Sequence, residues 1–200
     1  FDQTIKLLKV RGMAMQSAVP ENTGGMIAVL GSDDKTIASL LEENKKKYEC
    51  FIANDNSNGQ LVISGNNKDL DLLSVDLKKH SIKNIKLPVS APFHCKLMQS
   101  ATNEMEKEIN NIELVSPRRP IISNVTAKEC KDPIEIKQLL IKQIENPVRW
   151  RETINIMIKN EVTNFVEIGP GKVLSGLIKR IDRNVRLKQV NNLSDLKNIL

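Results

Sequence analysis

The chain reads as an α/β protein in which a parallel-sheet α/β layer carries an inserted β-α-β-β-α-β unit of the ferredoxin-like kind. Two observations predict this. Between residues 23 and 88, apolar alternation and helical periodicity follow one another in the order strand, helix, strand, strand, helix, strand. Beyond residue 88, strands are followed by helical stretches, the pattern that builds a parallel sheet. The division is therefore 1–22 together with 89–200 as the larger domain, and 23–88 as the inserted one.

Residues 2–18 place Ile5, Leu8 and Met15, with Leu7, Val10 and Ala14 alongside, on one broad helical stripe. Pro20 to Gly25 breaks that helix. The inserted unit then reads as a strand at Met26 to Leu30, a helix at Lys35 to Lys46 and a strand at Tyr48 to Ala53. Asn54-Asp55-Asn56-Ser57-Asn58-Gly59 has the composition of a turn. A strand at Gln60 to Ser64, a helix at Lys68 to Lys79 and a strand at Ile82 to Leu87 complete the unit. Further helices are expected at 97–111, 132–145 and 147–160, with a buried strand at Ile121 to Val125. A strand at Asn164 to Ile168, a helix at Lys172 to Ile181, a strand at Val185 to Val190 and a helix at 193–199 close the chain.

Hydrophobic residues make up 40% of the 200 residues and charged ones 27%, as in an ordinary soluble globular protein. No apolar run is long enough to span a bilayer, so no membrane role is expected. The three cysteines, Cys50, Cys95 and Cys130, are odd in number and form no CxxC pair, which argues against a disulfide framework and against a metal cluster, and for a reducing compartment. Net charge is +6, and it reads as scattered apart from Lys45-Lys46-Lys47, a solvated helix end. That balance favours acidic partners without choosing among them. The first residues carry neither an initiator Met nor a secretion signal and start inside a helical pattern, which reads as a chain cut from something longer.

Of the two histidines, His80 ends a polar helix and reads as a solvated surface group. His94 follows LPVSAPF, where Pro88 and Pro92 enforce extended or turned backbone, and stands at the mouth of a helix. On its own it reads either as a structural histidine or as a general base. Arg11 lies on the apolar stripe of the first helix, where a guanidinium needs an anion; it reads either as a structural ion pair or as a carboxylate clamp. The segment Ile168-Gly169-Pro170-Gly171-Lys172 joins a strand to a helix, and is either an anion-binding loop or a tight crossing.

Taken together, RGMAMQSAVP, GGMIAVLG, NDNSNGQLVISG, LPVSAPFHCKLM, QIENPVRW and EIGPGKVLSGLIKR resemble, in order and approximate spacing, the malonyl-CoA:acyl-carrier-protein transacylase family. The resemblance runs over essentially the whole chain. It implies an α/β-hydrolase-like core with the ferredoxin-like insert, and ping-pong malonyl transfer through a malonyl-serine without a cofactor, coenzyme A thioester being the substrate. The partners implied are malonyl-CoA and acyl carrier protein, not nucleic acid, in bacterial cytoplasm or an organelle matrix. His94 matches the catalytic histidine, Arg11 the arginine that holds the malonyl carboxylate, and Gln143 the position whose backbone carbonyl orients the histidine. Met15 and Phe93 are candidate walls of the acyl pocket, with core packing as the alternative. Lys83 and Lys86 are candidate contacts to coenzyme A phosphates or an acidic carrier, or simply solubilising lysines.

The chain departs from the family in lacking a GxSxG nucleophile elbow, so the serine is absent from these 200 residues. The family's glutamine-bearing glycine-rich segment is missing too; together these amount to about the first third of a complete transacylase. The chain alone is expected to be inert. Two other readings compete: the acyltransferase domain of a polyketide or fatty-acid megasynthase, and an RNA-binding ferredoxin-like module. The second has only Tyr48 and Phe51 on its strands and no RNP1 pattern.

Overall fold

A computed structural model describes residues 1–197. Helix α1 (Asp2–Ser17) leads into β1 (Gly24–Leu30), α2 (Asp34–Glu43), β2 (Cys50–Ser57), β3 (Gln60–Asn66), α3 (Asn67–Lys79) and β4 (Lys83–Lys86). The four strands form one antiparallel sheet in the order β2-β3-β1-β4. Alternation explains how it is covered. Ile27, Val29, Leu61 and Ile63 point to one face and pack with Ile37, Leu40, Leu70, Leu73 and Leu77 from the two helices. Each such side chain contributes about 1.5–3 kcal/mol on burial. Met26 and Val62, of opposite parity, face the other way and join Ala53, Leu87 and Phe93. The sheet is apolar on both faces because both are covered.

The covering body on that second face begins with α1, whose Ala14 and Met15 pack against a 3-10 turn at Lys96–Met98 and α4 (Gln99–Asn110) through Met98, Ala101, Met105 and Ile109. The chain continues through β5 (Ile121–Ile122), β6 (Glu129–Cys130), α5 (Pro133–Lys142), α6 (Trp150–Lys159), β7 (Asn164–Ile168), α7 (Val173–Ile181), β8 (Arg186–Val190) and α8 (Leu193–Lys197). Strands β7 and β8 are parallel and joined through α7, as the alternation predicts.

Four elements differ from the sequence-based expectation. The turn-like stretch after Ala53 is strand as far as Ser57, because β2 pairs on both edges. β3 takes one, and Val148 takes the other: the Asp55 amide donates to Val148 O at 2.9 Å and the Val148 amide to Ala53 O at 2.8 Å. The turn shrinks to Asn58-Gly59, with Gly59 at φ +70°. The expected buried strand Ile121–Val125 is two residues long and pairs antiparallel with β6, since Ser123 to Ala127 closes a turn (Ala127 N–H to Ser123 O, 2.8 Å). The helices expected at 132–145 and 147–160 are shorter at the facing ends, Lys142 and Trp150, because Pro147 and extended Val148 lie between them. The terminal helix is present to Lys197, and the remainder of its expected span lies outside the described residues.

Besides the pairing of β2 with Val148, contacts near the two ends of β1 fix the four-stranded sheet to the rest. Arg151 on α6 donates through Nε to both oxygens of Asp55 (2.8 and 3.0 Å), and its Nη2 lies 2.7 Å from Asp55 and 3.1 Å from Asp34 at the start of α2. At the other end of β1, Gly24 lies against Pro92: a Cβ there would be 2.3 Å from the proline Cδ.

Candidate active site

The segment from Pro92 to Cys95 is a built turn. The buried Ser64 hydroxyl of β3 donates to Phe93 O at 2.5 Å, the Cys95 thiol donates to Pro92 O at 3.1 Å, and the Met98 amide donates to Cys95 O at 3.0 Å. Held this way, His94 has φ +61°, in the left-handed region. That conformation is uncommon for a side-chain-bearing residue and costs on the order of 1–3 kcal/mol; such outliers concentrate at functional sites. Here it turns the imidazole toward the segment following α5.

His94 Nδ1 lies 2.9 Å from the carbonyl oxygen of Gln143. A carbonyl only accepts, so Nδ1 carries the proton and Nε2 is left with its lone pair free. Gln143 is itself fixed, its amide donating to Leu139 O at 3.0 Å and its side-chain Nε2 to Asn146 O at 2.9 Å. Burial lowers the imidazole's affinity for a proton below the ordinary 6.5; the Gln143 carbonyl opposes this, and the charge of Arg11 adds to it. The site therefore holds a neutral, oriented imidazole, the form a general base needs.

Arg11 is half-buried on α1, and desolvation lowers its pKa from the ordinary 12.5. Among the described residues it has no carboxylate partner. It lines an apolar cavity of about 290 Å³ with Leu7, Leu8, Met105, Ile109, Leu140, Ile144 and Gln143. Gln143, whose carbonyl holds His94, is thus also part of this cavity's wall. His94 also lines a wider cleft of about 700 Å³, bounded by α2, the first half of β2, the turn at Cys95-Lys96 and Glu145 to Pro147. A base and an unpaired cation, each lining a cavity of its own, are near enough here for the charge of Arg11 to act on the imidazole. That arrangement can deprotonate a hydroxyl or thiol beside a bound carboxylate.

The other residues singled out from sequence fall elsewhere. Met15 is buried in the α1–α4 core, and Phe93 is half-buried where the two cores meet. Lys83 and Lys86 are exposed on β4, across the sheet from the β2 strand that lines the cleft. His80 is exposed at the end of α3. The glycine loop after β7 is a tight crossing. Glu167 accepts from the amides of Leu174 and Ser175 (3.0 and 2.8 Å), occupying the start of α7 where an anion would sit. Sequence reasoning missed Ser64. Its signal was a hydroxyl at the core-facing parity of Gln60, Val62 and Ser64, a buried polar group that requires a partner.

The model of the acyl transferase domain family matches residues 3–194. The chain is 38% identical over 182 residues to the malonyl CoA-acyl carrier protein transacylase of Salmonella typhimurium, covering 90% of this chain and 59% of that protein. The Bacillus subtilis transacylase is 37% identical over 194 residues, covering 96% of this chain and 61% of the relative. Among solved structures, the transacylase from Clostridium perfringens superposes with a TM-score of 0.93 at 38% identity, covering 98% of this chain and 62% of that one. A malonyl-transacylase in complex with its type II PKS acyl-carrier protein superposes with a TM-score of 0.93 at 36% identity, covering 99% and 64%. The chain spans about three fifths of the length of the curated relatives it matches. With the fold, the oriented histidine and this match over nearly all its residues, the chain belongs to the acyl transferase domain family.

Proposed function

We propose that this chain supplies the general base and the carboxylate clamp for malonyl transfer from coenzyme A to the phosphopantetheine thiol of an acyl carrier protein, a step that feeds fatty acid synthesis. The observation that carries the reading is the His94–Gln143 pair set beside an unpartnered Arg11. In the first half-reaction Nε2 of His94 takes the proton of a serine hydroxyl as its oxygen attacks the thioester carbonyl, and returns it to the departing coenzyme A thiolate. In the second, His94 takes the proton of the carrier's thiol, the sulfur attacks the malonyl-serine, and the proton goes back to serine. Arg11 pairs with the free malonyl carboxylate throughout, which favours malonyl over neutral acyl groups. Phe93, which adjoins His94, would limit branching of the acyl group, whereas Met15 is taken up in the α1–α4 core. No cofactor enters these steps.

The serine is not among the 200 residues, which contain no GxSxG sequence. The domain reading that accompanies this function is a hydrolase-like core at 1–22 and 89–200 with a ferredoxin-like subdomain at 23–88. The strand order β2-β3-β1-β4 with both helices on one face supports the subdomain. The chemistry suits a reducing compartment, bacterial cytoplasm or an organelle matrix.

The test is a chimera in which the N-terminal part of the Bacillus subtilis transacylase, the part this chain does not match, precedes Phe1. It should transfer malonyl from malonyl-CoA to pantetheine, and His94→Ala should lower that rate about 10²- to 10⁴-fold. An unchanged rate in His94→Ala would refute the assignment.

A further inference from the structure

Ser64 is a polar residue on an otherwise apolar face. It stands on β3 at the parity of Val62 and pairs with Met26, two members of the cluster that meets Phe93. The residue is fully buried. A hydroxyl buried there needs a partner, and Ser64 donates to the carbonyl oxygen of Phe93, 29 residues away, at 2.5 Å. Strand β3 is an inner strand, and Ser64 pairs with Phe51 of β2 on one side and Met26 of β1 on the other. The donor is thus carried by backbone that is paired along both edges.

The Phe93 carbonyl belongs to the peptide plane that ends at the amide nitrogen of His94. The φ angle of His94 is rotation about the next bond, so holding that oxygen holds the frame from which φ is set. At +61° this φ lies in a region that a side-chain-bearing residue leaves unless its surroundings fix it. Turning the Phe93–His94 plane is a short route back to a negative φ, and the Ser64 bond opposes it. Of the three hydrogen bonds that shape this turn, those of Cys95 and Met98 arise within it, and the Ser64 bond comes from the sheet. The Gln143 carbonyl meets Nδ1 of the same residue at 2.9 Å. That bond sets the tautomer only while the His94 backbone keeps the ring within its reach.

We infer that Ser64 is a positioning residue for His94: through the Phe93 carbonyl, its hydroxyl keeps the left-handed backbone that aims Nδ1 at Gln143 and leaves Nε2 free. Its effect on rate rests on the reading of His94 as the base of malonyl transfer, whereas its effect on the ring does not. Arg11 lies on α1, away from this bond, so loss of the Ser64 hydroxyl should impair proton transfer and spare substrate binding.

Nitrogen-15 NMR of the His94 ring in the 200-residue chain, at about pH 8 where the imidazole is neutral, tests the inference. The wild type should show one tautomer, with its proton on Nδ1. Ser64→Ala should show a mixture of both tautomers, and Ser64→Thr, which keeps the hydroxyl, should return the single one. Ser64→Cys retains only a weak donor and should also show a mixture, which preserves the comparison where Ser64→Ala fails to fold. Ser74→Ala removes another hydroxyl bond of the same unit, to Asn84 at 2.7 Å on the helix-covered face, and should leave the ring unchanged. In the chimera, Ser64→Ala should lower kcat about 10- to 100-fold and keep KM for malonyl-CoA within about twofold of wild type. A single Nδ1–H tautomer in Ser64→Ala, a mixture in Ser64→Thr or in Ser74→Ala, or a rate lost through KM alone would each overturn the inference. If His94→Ala leaves the chimera's rate unchanged, the malonyl-transfer reading fails while the tautomers still decide this one, so the two fail separately.

Discussion

The Nδ1 atom of His94 and the carbonyl oxygen of Gln143, 49 residues apart in the chain, are 2.9 Å apart in space. A carboxylate in that place would raise the imidazole's proton affinity. A neutral carbonyl orients the ring with less charge to stabilise an imidazolium, and burial then dominates. His94 should titrate below 6.5 when its ring protons are followed by NMR against pH. The unfolded chain protonates first, so the contribution of the neutral buried ring is complete above about pH 6.5 and is lost as pH falls through the lower folded value. Gln143→Ala keeps the carbonyl and should leave the titration unchanged. A midpoint at or above 6.5, or one displaced by Gln143→Ala, contradicts this account.

Gly24 links the sheet to the histidine turn. Its missing Cβ is space that Pro92 fills, at 2.3 Å from the proline Cδ and 3.2 Å from its backbone nitrogen. The clash is with a rigid ring and main chain, so a flexible side chain cannot relieve it. Gly24→Ala should cost about 1–3 kcal/mol in urea unfolding. It should also shift the His94 ring resonances, because Pro92 is two residues from the imidazole. Wild-type stability together with unchanged ring shifts would show that the turn is not held from this side.

Much of the fold was legible because its elements are locally consistent. Ile27, Val29, Leu61 and Ile63 alternate, Asp33 caps α2 by accepting from the Thr36 amide at 2.8 Å, and Pro147 stops a helix. What failed depended on partners distant in sequence. Asn54 to Ser57 has turn composition but becomes strand because Val148 pairs with it, and no local signal announces a strand edge taken from almost a hundred residues away. In the site, His94 stood out through its prolines. Its left-handed backbone and the Ser64 hydroxyl that braces Phe93 are products of tertiary packing. The anion-binding option for the glycine loop was excluded by the position of one carboxylate, Glu167, which composition cannot specify.

Arg151 and Asp55 provide the polar clasp between α6 and β2. The guanidinium fork meets both carboxylate oxygens at 2.7–3.0 Å, and the pair is only partly exposed (27% and 18%). Such bidentate geometry exceeds the worth of a fully solvated ion pair. Arg151→Met should destabilise the chain by about 1–3 kcal/mol, leaving Asp55 without its main donor. A double-mutant cycle with Asp55→Asn should return a coupling energy of roughly 1 kcal/mol or more. Additive effects would mean that the apolar contacts of α6, and not this pair, fasten the two together.

Glu167 turns the crossing from β7 to α7 into an acid-sensitive joint. Hydrogen bonds from Ser175, then from the Leu174 amide, outweigh its partial burial and hold the carboxyl below its ordinary 4.5. A lowered carboxylate pKa stabilises the fold fully above the ordinary value, and that contribution is lost as pH falls through the folded one. Glu167→Gln keeps an acceptor but removes the charge at a helix start, and should cost about 0.5–2 kcal/mol at pH 7. The difference from wild type should shrink as the pH is lowered below about 4.5 and through the lower folded value, where the wild-type carboxyl takes up its proton. Amide exchange at Leu174 and Ser175 reads this directly, and faster exchange in the variant at pH 7 is the expected result. Because Glu167 already occupies this helix start, millimolar inorganic phosphate should not slow exchange at those two amides. Protection by phosphate would restore the anion-binding reading of the loop.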